Sequence, residues 1–137
     1  MRAMLCHAWG EVESLKLEEI ESPVPGPDEV LIDVKATSIN YADSIMVAGR
    51  YQTKPPFPFS PGLETAGVVS QCGEGVTQFR PGDRVMAILP YGGLAEQAIA
   101  KIDETYHIPD SMRFDEAGAF PISYIIQPRG AALARPG

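Results

Sequence analysis

Histidine and cysteine, the side chains that most often bind metals or act as nucleophiles, are few in this sequence and lie far apart. His7 and His107 are separated by 100 residues, and neither has a companion at metal-ligand spacing. Cys6 and Cys72 are isolated as well, without the Cys-x-x-Cys pairing of zinc modules. We therefore expect no metal site, histidines at strand ends or on the surface, and reduced cysteines that pack as small hydrophobic side chains.

Three other polar residues could bind or orient a ligand through hydrogen bonds or ring contacts. Each of them also has a purely structural interpretation. Asn40 carries an amide that both donates and accepts hydrogen bonds, but it equally suits the N-cap of a short helix. Glu64 follows Gly62 in a turn, which is more typical of a carboxylate that accepts backbone N–H bonds. Tyr51 lies beside a proline-rich loop, where it either packs on the prolines or contacts a ligand.

The nearest approach to a phosphate-binding loop is the segment Gly73-Glu-Gly75. A dinucleotide-binding turn needs a third glycine and a helix of about 12 residues after it, to hold the pyrophosphate at the helix N-terminus. The third glycine is missing, and Pro81 interrupts the place of the helix. The segment therefore predicts a turn between strands.

Length and charge narrow the class of protein. The chain has 137 residues, 45% hydrophobic, which is enough for one domain with its own core. Eighteen acidic and 11 basic residues give a net charge of −7, which disfavours nucleic acid and anionic membrane surfaces as partners. No apolar run approaches 18 residues, and the N-terminus lacks a signal-peptide core. We expect a cytoplasmic protein that binds neither nucleic acid nor membrane.

The elements that must position these residues are short strands separated by glycine and proline. Alternation of apolar and polar residues predicts seven strands, at 3–8, 15–20, 29–39, 66–71, 84–89, 94–100 and 104–108. Two short helices are predicted, one over 40–48, capped by Asn40 and stopped by Gly49, and one over 114–120. A mostly β domain follows, either a barrel or a sandwich.

Five motifs then occur in the order and spacing of one family: GPDEV at 26–30, SINYAD at 38–43, PGLETAGVV at 61–69, GEGV at 73–76 and PGDRV at 81–85. Over residues 2–124 the chain resembles the GroES-like catalytic domain of the medium-chain dehydrogenases/reductases, in their zinc-free quinone oxidoreductase branch. The resemblance implies a GroES-like, partly open β-barrel with short helices over 1–124. It also implies that 125–137 are an atypical remnant of the connection to an absent Rossmann domain.

The same resemblance implies hydride transfer from C4 of NADPH to a quinone or enone. It gives Asn40 a catalytic and cofactor-binding role, Tyr41, Asp43 and Tyr51 the substrate side, and Ser123 a second cofactor contact. Zinc is not implied, because Asn40 and Leu63 stand where the zinc enzymes of the superfamily have cysteine and histidine ligands.

The last residues depart from the family pattern, with Ile125, Ile126, Gln127 and Pro128 where a helix should lead into the Rossmann domain. We therefore expect a truncated chain, inactive and without bound NADPH on its own, whose uncovered cleft face favours self-association. A stand-alone binding or regulatory module, and a co-chaperonin-like assembly subunit, are the alternatives. The second of these needs a long mobile loop, whereas the loop at 54–61 contains four prolines.

Overall fold

The computed structural model describes residues 1–117, and within them the chain is built almost entirely of strands. The strands are β1 (Arg2–Leu5), β2 (Lys16–Glu19), β3 (Glu29–Thr37), β4 (Glu64–Cys72), β5 (Arg84–Ile88), β6 (Gln97–Lys101) and β7 (Thr105–His107); the helix α1 spans Tyr41–Val47, and 3-10 turns occupy Val12–Ser14 and Ile102–Glu104. All seven predicted strands are confirmed. Residues 114–117 are helical, as predicted for the start of the second helix.

The strands form one curled antiparallel sheet and a separate hairpin. The sheet has the order β6-β3-β4-β5-β7, and β1 pairs with β2. Two isolated bridges, Ala3 with Ala95 and Cys6 with Phe59, attach the hairpin to the remainder of the domain. The result is a curled, partly open half-barrel of mostly β structure, so the predicted fold class is confirmed. The predicted boundary at residue 124, and with it the tail, lies outside the described residues.

Two hydrophobic clusters hold the half-barrel together. The first lies between the sheet strands and includes Val30, Ile32 and Val85, all fully buried. The second joins the hairpin to α1 through Met46 and Val47, and contains buried Cys6. Cys72 packs against the first cluster. Both cysteines are therefore free thiols in apolar surroundings, as predicted, and burial raises the pKa of each.

The described elements are too short to cross a bilayer as helices. Within residues 1–117 no helix has the length and apolar character that a membrane span requires. The surface does carry large apolar side chains, among them Trp9, Phe57 and Tyr91.

Candidate functional site

The ends of β3 and β4 bring the polar residues of two sequence motifs together. β3 and β4 are antiparallel, and their register places Thr37, the last residue of β3, opposite Thr65. Residues 38–40, which lead from β3 into α1, therefore lie beside Glu64, the first residue of β4. The Thr37 hydroxyl donates to the backbone oxygen of Glu64 at 2.7 Å, which ties the two strand ends to each other.

Glu64 is the centre of this group. Only 2% of the residue is exposed. Such burial is unusual for glutamate, a residue type that carries a charge in water at neutral pH. Its Oε1 accepts a hydrogen bond from the Ser38 hydroxyl at 2.5 Å and another from the Asn40 side-chain amide at 2.8 Å. Glu64 is thus a buried carboxylate with a structural setting, as the sequence suggested, but the donors recorded for its Oε1 are side chains of the preceding loop rather than backbone N–H groups.

Asp43 is a second buried carboxylate, 1% exposed, one turn into α1. Its Oδ2 accepts from the backbone N–H of Asn40 at 2.7 Å, and its Oδ1 accepts from the backbone N–H of Gly62 at 3.0 Å. Burial raises the pKa of Asp43, the two N–H bonds oppose that shift, and the nearby charge of Glu64 adds to it. Asp43 therefore joins the start of α1 to the loop before β4, and its proposed substrate role stays a prediction.

Asn40 has the structural role that the sequence offered, and its catalytic and cofactor-binding role stays a prediction. It is the N-cap residue of α1, with extended backbone, and the helix stops at Gly49, whose φ is +77°. Its side-chain Nδ2 donates to Glu64 instead of standing free. The N-cap interpretation is confirmed, and Asn40 as a residue is partly exposed beside the first turn of α1.

The two tyrosines predicted for the substrate side differ in exposure. Tyr41 is 82% exposed at the first position of α1. Tyr51 is partly buried and packs against the cluster that contains Met46 and Phe59. Tyr41 is therefore the more accessible of the two to a ligand. Ser123, the predicted second cofactor contact, lies outside the described residues.

The other candidates have structural settings. His7 contacts Glu18 and His107 lies 3.2 Å from Asp83; both histidines are exposed, so their prediction as strand-end or surface residues is confirmed. No group of three or more metal-binding side chains occurs within the described part of the chain. The segment Gly73–Gly75 forms the turn after β4, with Gly75 at φ +82°, and no helix follows it before β5.

An apolar pocket of about 410 Å³ lies apart from this polar group. Side chains from the hairpin, β6 and two proline-containing loops line it, among them Leu5, Ile99, Phe59 and Tyr91. Trp9 and Phe57 pack edge to face beside Phe59, with their ring centroids 4.5 Å apart. Sequence reasoning missed this grouping, because its members come from segments far apart in the chain. It also missed Ser38, for which the only signal was a hydroxyl two residues before an N-cap.

Comparison with known proteins places the chain among oxidoreductase domains. The alcohol dehydrogenase GroES-like domain model matches residues 26–110. Quinone oxidoreductase-like protein 2 of Rattus norvegicus is 38% identical over 112 residues, which are 82% of this chain and 32% of that protein. The chain spans about a third of the length of the curated relatives it matches.

Solved structures agree with that result. The human synaptic vesicle membrane protein VAT-1 homolog-like protein superposes with a TM-score of 0.88 at 34% identity, covering 100% of this chain and 45% of that one. The quinone oxidoreductase of Thermus thermophilus, whose structure is also known in complex with NADPH, gives a TM-score of 0.79 at 33% identity, over 100% of this chain and 43% of that one.

Proposed function

The chain is a quinone oxidoreductase-like member of the alcohol dehydrogenase GroES-like domain family, and on that premise we propose that it forms the substrate side of an active site that reduces quinones or enones with NADPH. The observation that carries the proposal is the side-chain amide of Asn40, held on buried Glu64 where β3 leads into α1. Tyr41 follows directly and is largely exposed. An amide and an aromatic ring thus occur together at one edge of the half-barrel.

In this proposal Asn40 and Tyr41 orient the reacting groups and do not themselves transfer the hydride. When bound, a reduced nicotinamide supplies the hydride, and the quinone or enone takes up a proton from water to complete its reduction. The Asn40 amide suits a contact with a carboxamide, because both groups donate and accept hydrogen bonds. One such bond contributes about 1 kcal/mol net, so Asn40 aligns the reacting groups more than it adds to affinity. Tyr41 offers a flat apolar face to a quinone ring.

The described residues fit only one part of NADPH. A dinucleotide needs backbone N–H groups at a glycine-rich helix start to bind its pyrophosphate. The one comparable segment, 73–75, is a turn between strands, and a Cβ added at Gly73 would come within 1.8 Å of the Gly26 backbone oxygen, so that glycine allows two loop backbones to approach closely. We therefore propose that residues 1–117 contribute a wall to the nicotinamide and no site for its phosphates.

We expect the 137-residue chain to bind a quinone weakly and NADPH not at all. The measurement is a backbone and side-chain amide NMR titration with a fully substituted benzoquinone, which cannot add to thiols, followed by NADPH with thermal unfolding and turnover recorded in parallel. Saturating NADPH would stabilise the fold by about 2.7 kcal/mol at 100 times its Kd, an effect that is easily seen. The expected result is a shift of the Asn40 and Tyr41 signals with quinone, and no thermal shift or turnover with NADPH.

Two matched variants make that titration specific. Tyr41→Ala should weaken the quinone shifts, whereas Leu17→Ala, at an exposed position of β2, should leave them unchanged. Quinone shifts that map to the apolar pocket and spare Asn40 would contradict the proposal. NADPH binding with turnover would contradict the assignment of the phosphates to other residues.

The co-chaperonin-like alternative receives no support from the loop at 54–61. Phe59 in that loop exchanges two backbone hydrogen bonds with Cys6, at 2.7 and 3.1 Å, and its ring is buried. A loop tied down in this way differs from the mobile segment that such a subunit would use. Self-association through the cleft face remains part of our proposal, and a sizing column distinguishes a monomer or dimer from a ring.

A further inference from the structure

We propose that Glu64 is a positioning residue, which fixes the direction of the Asn40 side-chain amide and so decides which end of that amide is turned to the site. The inference rests on the proposed function, because only there does the direction of the amide matter for chemistry. It adds a residue that the resemblance did not assign to the site.

The direction follows from the chemistry of the pair. An ionised carboxylate only accepts hydrogen bonds, whereas the two ends of an amide differ, since nitrogen donates and oxygen accepts. With 2.8 Å between Glu64 Oε1 and the Asn40 amide, the end that faces Glu64 must be Nδ2. The oxygen end is therefore turned away from Glu64, toward the first turn of α1, where it meets the backbone of Asp43 in the capping box. A bond from an amide to a buried charge is stronger than one between neutral groups, which keeps the amide from flipping.

The backbone of the same residue is held independently. Asp43 accepts from the Asn40 N–H, and the Ser38 hydroxyl shares Oε1 of Glu64 with the amide. The carboxyls recorded in contact with Asn40 in the described structure are thus Asp43 of α1, at the backbone, and Glu64 of β4, at the side chain. The Asp43 side chain fixes where residue 40 sits; the direction of the Asn40 side chain is fixed at its nitrogen end by Glu64 and at its oxygen end by the capping contact with the Asp43 backbone.

The decisive experiment is the variant Asn40→Asp in the whole chain, because capping alone and positioning by Glu64 predict opposite results. Aspartate caps helices as well as asparagine, and its charge suits a helix N-terminus, so a residue that only caps would lose nothing. Against Glu64, however, it would place two carboxyls at hydrogen-bond distance, and they cannot both ionise. The pair then keeps a proton in the folded state that the unfolded chain releases.

The expected signature is a pH dependence. Because the folded pKa of the pair is raised, the stability linked to its proton is present at low pH and is lost as pH rises. The folding equilibrium constant of Asn40→Asp should fall, relative to wild type, by up to about tenfold per pH unit above about pH 4, until the folded pair ionises. Asn40→Ala, which removes the amide without adding a charge, should show no such slope in chemical denaturation between about pH 4 and 8.

A second substitution shows whether Glu64 is the carboxyl that shares the proton with the aspartate introduced at position 40. Adding Glu64→Gln to Asn40→Asp restores a carboxylate–amide pair with its polarity exchanged, and it should abolish most of the slope. A slope that survives Glu64→Gln would assign the repulsion to Asp43 and overturn the proposal, as would Asn40→Asp that is as stable as wild type at about pH 8.

A failure of the positioning role of Glu64 can be distinguished from a failure of the proposed quinone-binding function. In the quinone titration, Glu64→Gln should alter the shift of the Asn40 side-chain amide, while Thr37→Val, which removes the neighbouring hydroxyl bond to the Glu64 backbone, should leave the Asn40 shift in place. Absence of any quinone shift in wild type contradicts the proposed function alone. An unchanged Asn40 signal in Glu64→Gln contradicts the positioning role alone.

Discussion

Replacing Gly67 by alanine should strongly destabilise this chain, by at least about 3 kcal/mol. Gly67 lies in the middle of β4 and pairs with Val34 of β3, at the centre of the five-stranded sheet. A Cβ at this position would come within 2.0 Å of the Asp33 backbone oxygen and 3.0 Å of Ile32 Cγ2. The first obstacle is backbone, which cannot rotate away as a side chain can, so the two central strands would have to separate.

The size of this effect follows from overpacking. Extra atoms in a packed interior cost about 1–3 kcal/mol where side chains can give way, and more where backbone must move. We expect a loss of at least about 3 kcal/mol, a large part of the stability of a domain of this size. Circular dichroism and urea unfolding of Gly67→Ala measure it.

A matched control is available at the surface. In Gly10→Ala the added Cβ meets only the flexible Ser14 hydroxyl, at 3.3 Å, and we expect a change within about 0.5 kcal/mol. If Gly67→Ala unfolded at the wild-type urea concentration, the close approach of β3 and β4 described above would be wrong.

The strands could be predicted from the sequence because their information is local. Alternation along residues 29–37 and the glycine and proline punctuation around each run identified the strands that the structure contains. The cap and stop of α1 were also local, since Asn40 and Gly49 each act on the adjacent turn. Periodicity alone did not distinguish a barrel from a sandwich; that distinction came from the resemblance.

The contacts of the site could not be predicted in the same way. Ser38 and Glu64 are 26 residues apart, and they meet only because the β3–β4 register brings the end of one strand to the start of the next. Nothing in the sequence states that register. A carboxylate heading an apolar strand was a signal of burial at Glu64, but the two side chains that donate to its Oε1 belong to another motif.

Asp43→Asn should destabilise the domain by about 2 kcal/mol at neutral pH. Asn keeps one oxygen, so one of the two backbone N–H groups of Asn40 and Gly62 loses its acceptor and faces an NH2 group in a buried place. An unsatisfied buried donor costs about 1–3 kcal/mol. Asp33→Asn is the control, because Asp33 accepts from the side chain of Gln97 at a partly exposed position and should change stability little.

The difference in stability between wild type and Asp43→Asn should depend on pH. The direction of that dependence shows whether burial or the two N–H bonds dominate the pKa of Asp43. Burial raises its pKa above the ordinary value of 3.8, while the two N–H bonds act in the opposite direction. With a raised folded pKa, the stability linked to the proton is present below pH 3.8 and is lost as pH rises through the folded value. Wild type should therefore lose stability relative to Asp43→Asn over that interval, and the gap between them should narrow toward neutral pH. A gap that instead widens with rising pH would mean that the N–H bonds outweigh burial and that Asp43 joins α1 to the loop before β4 chiefly through its charge.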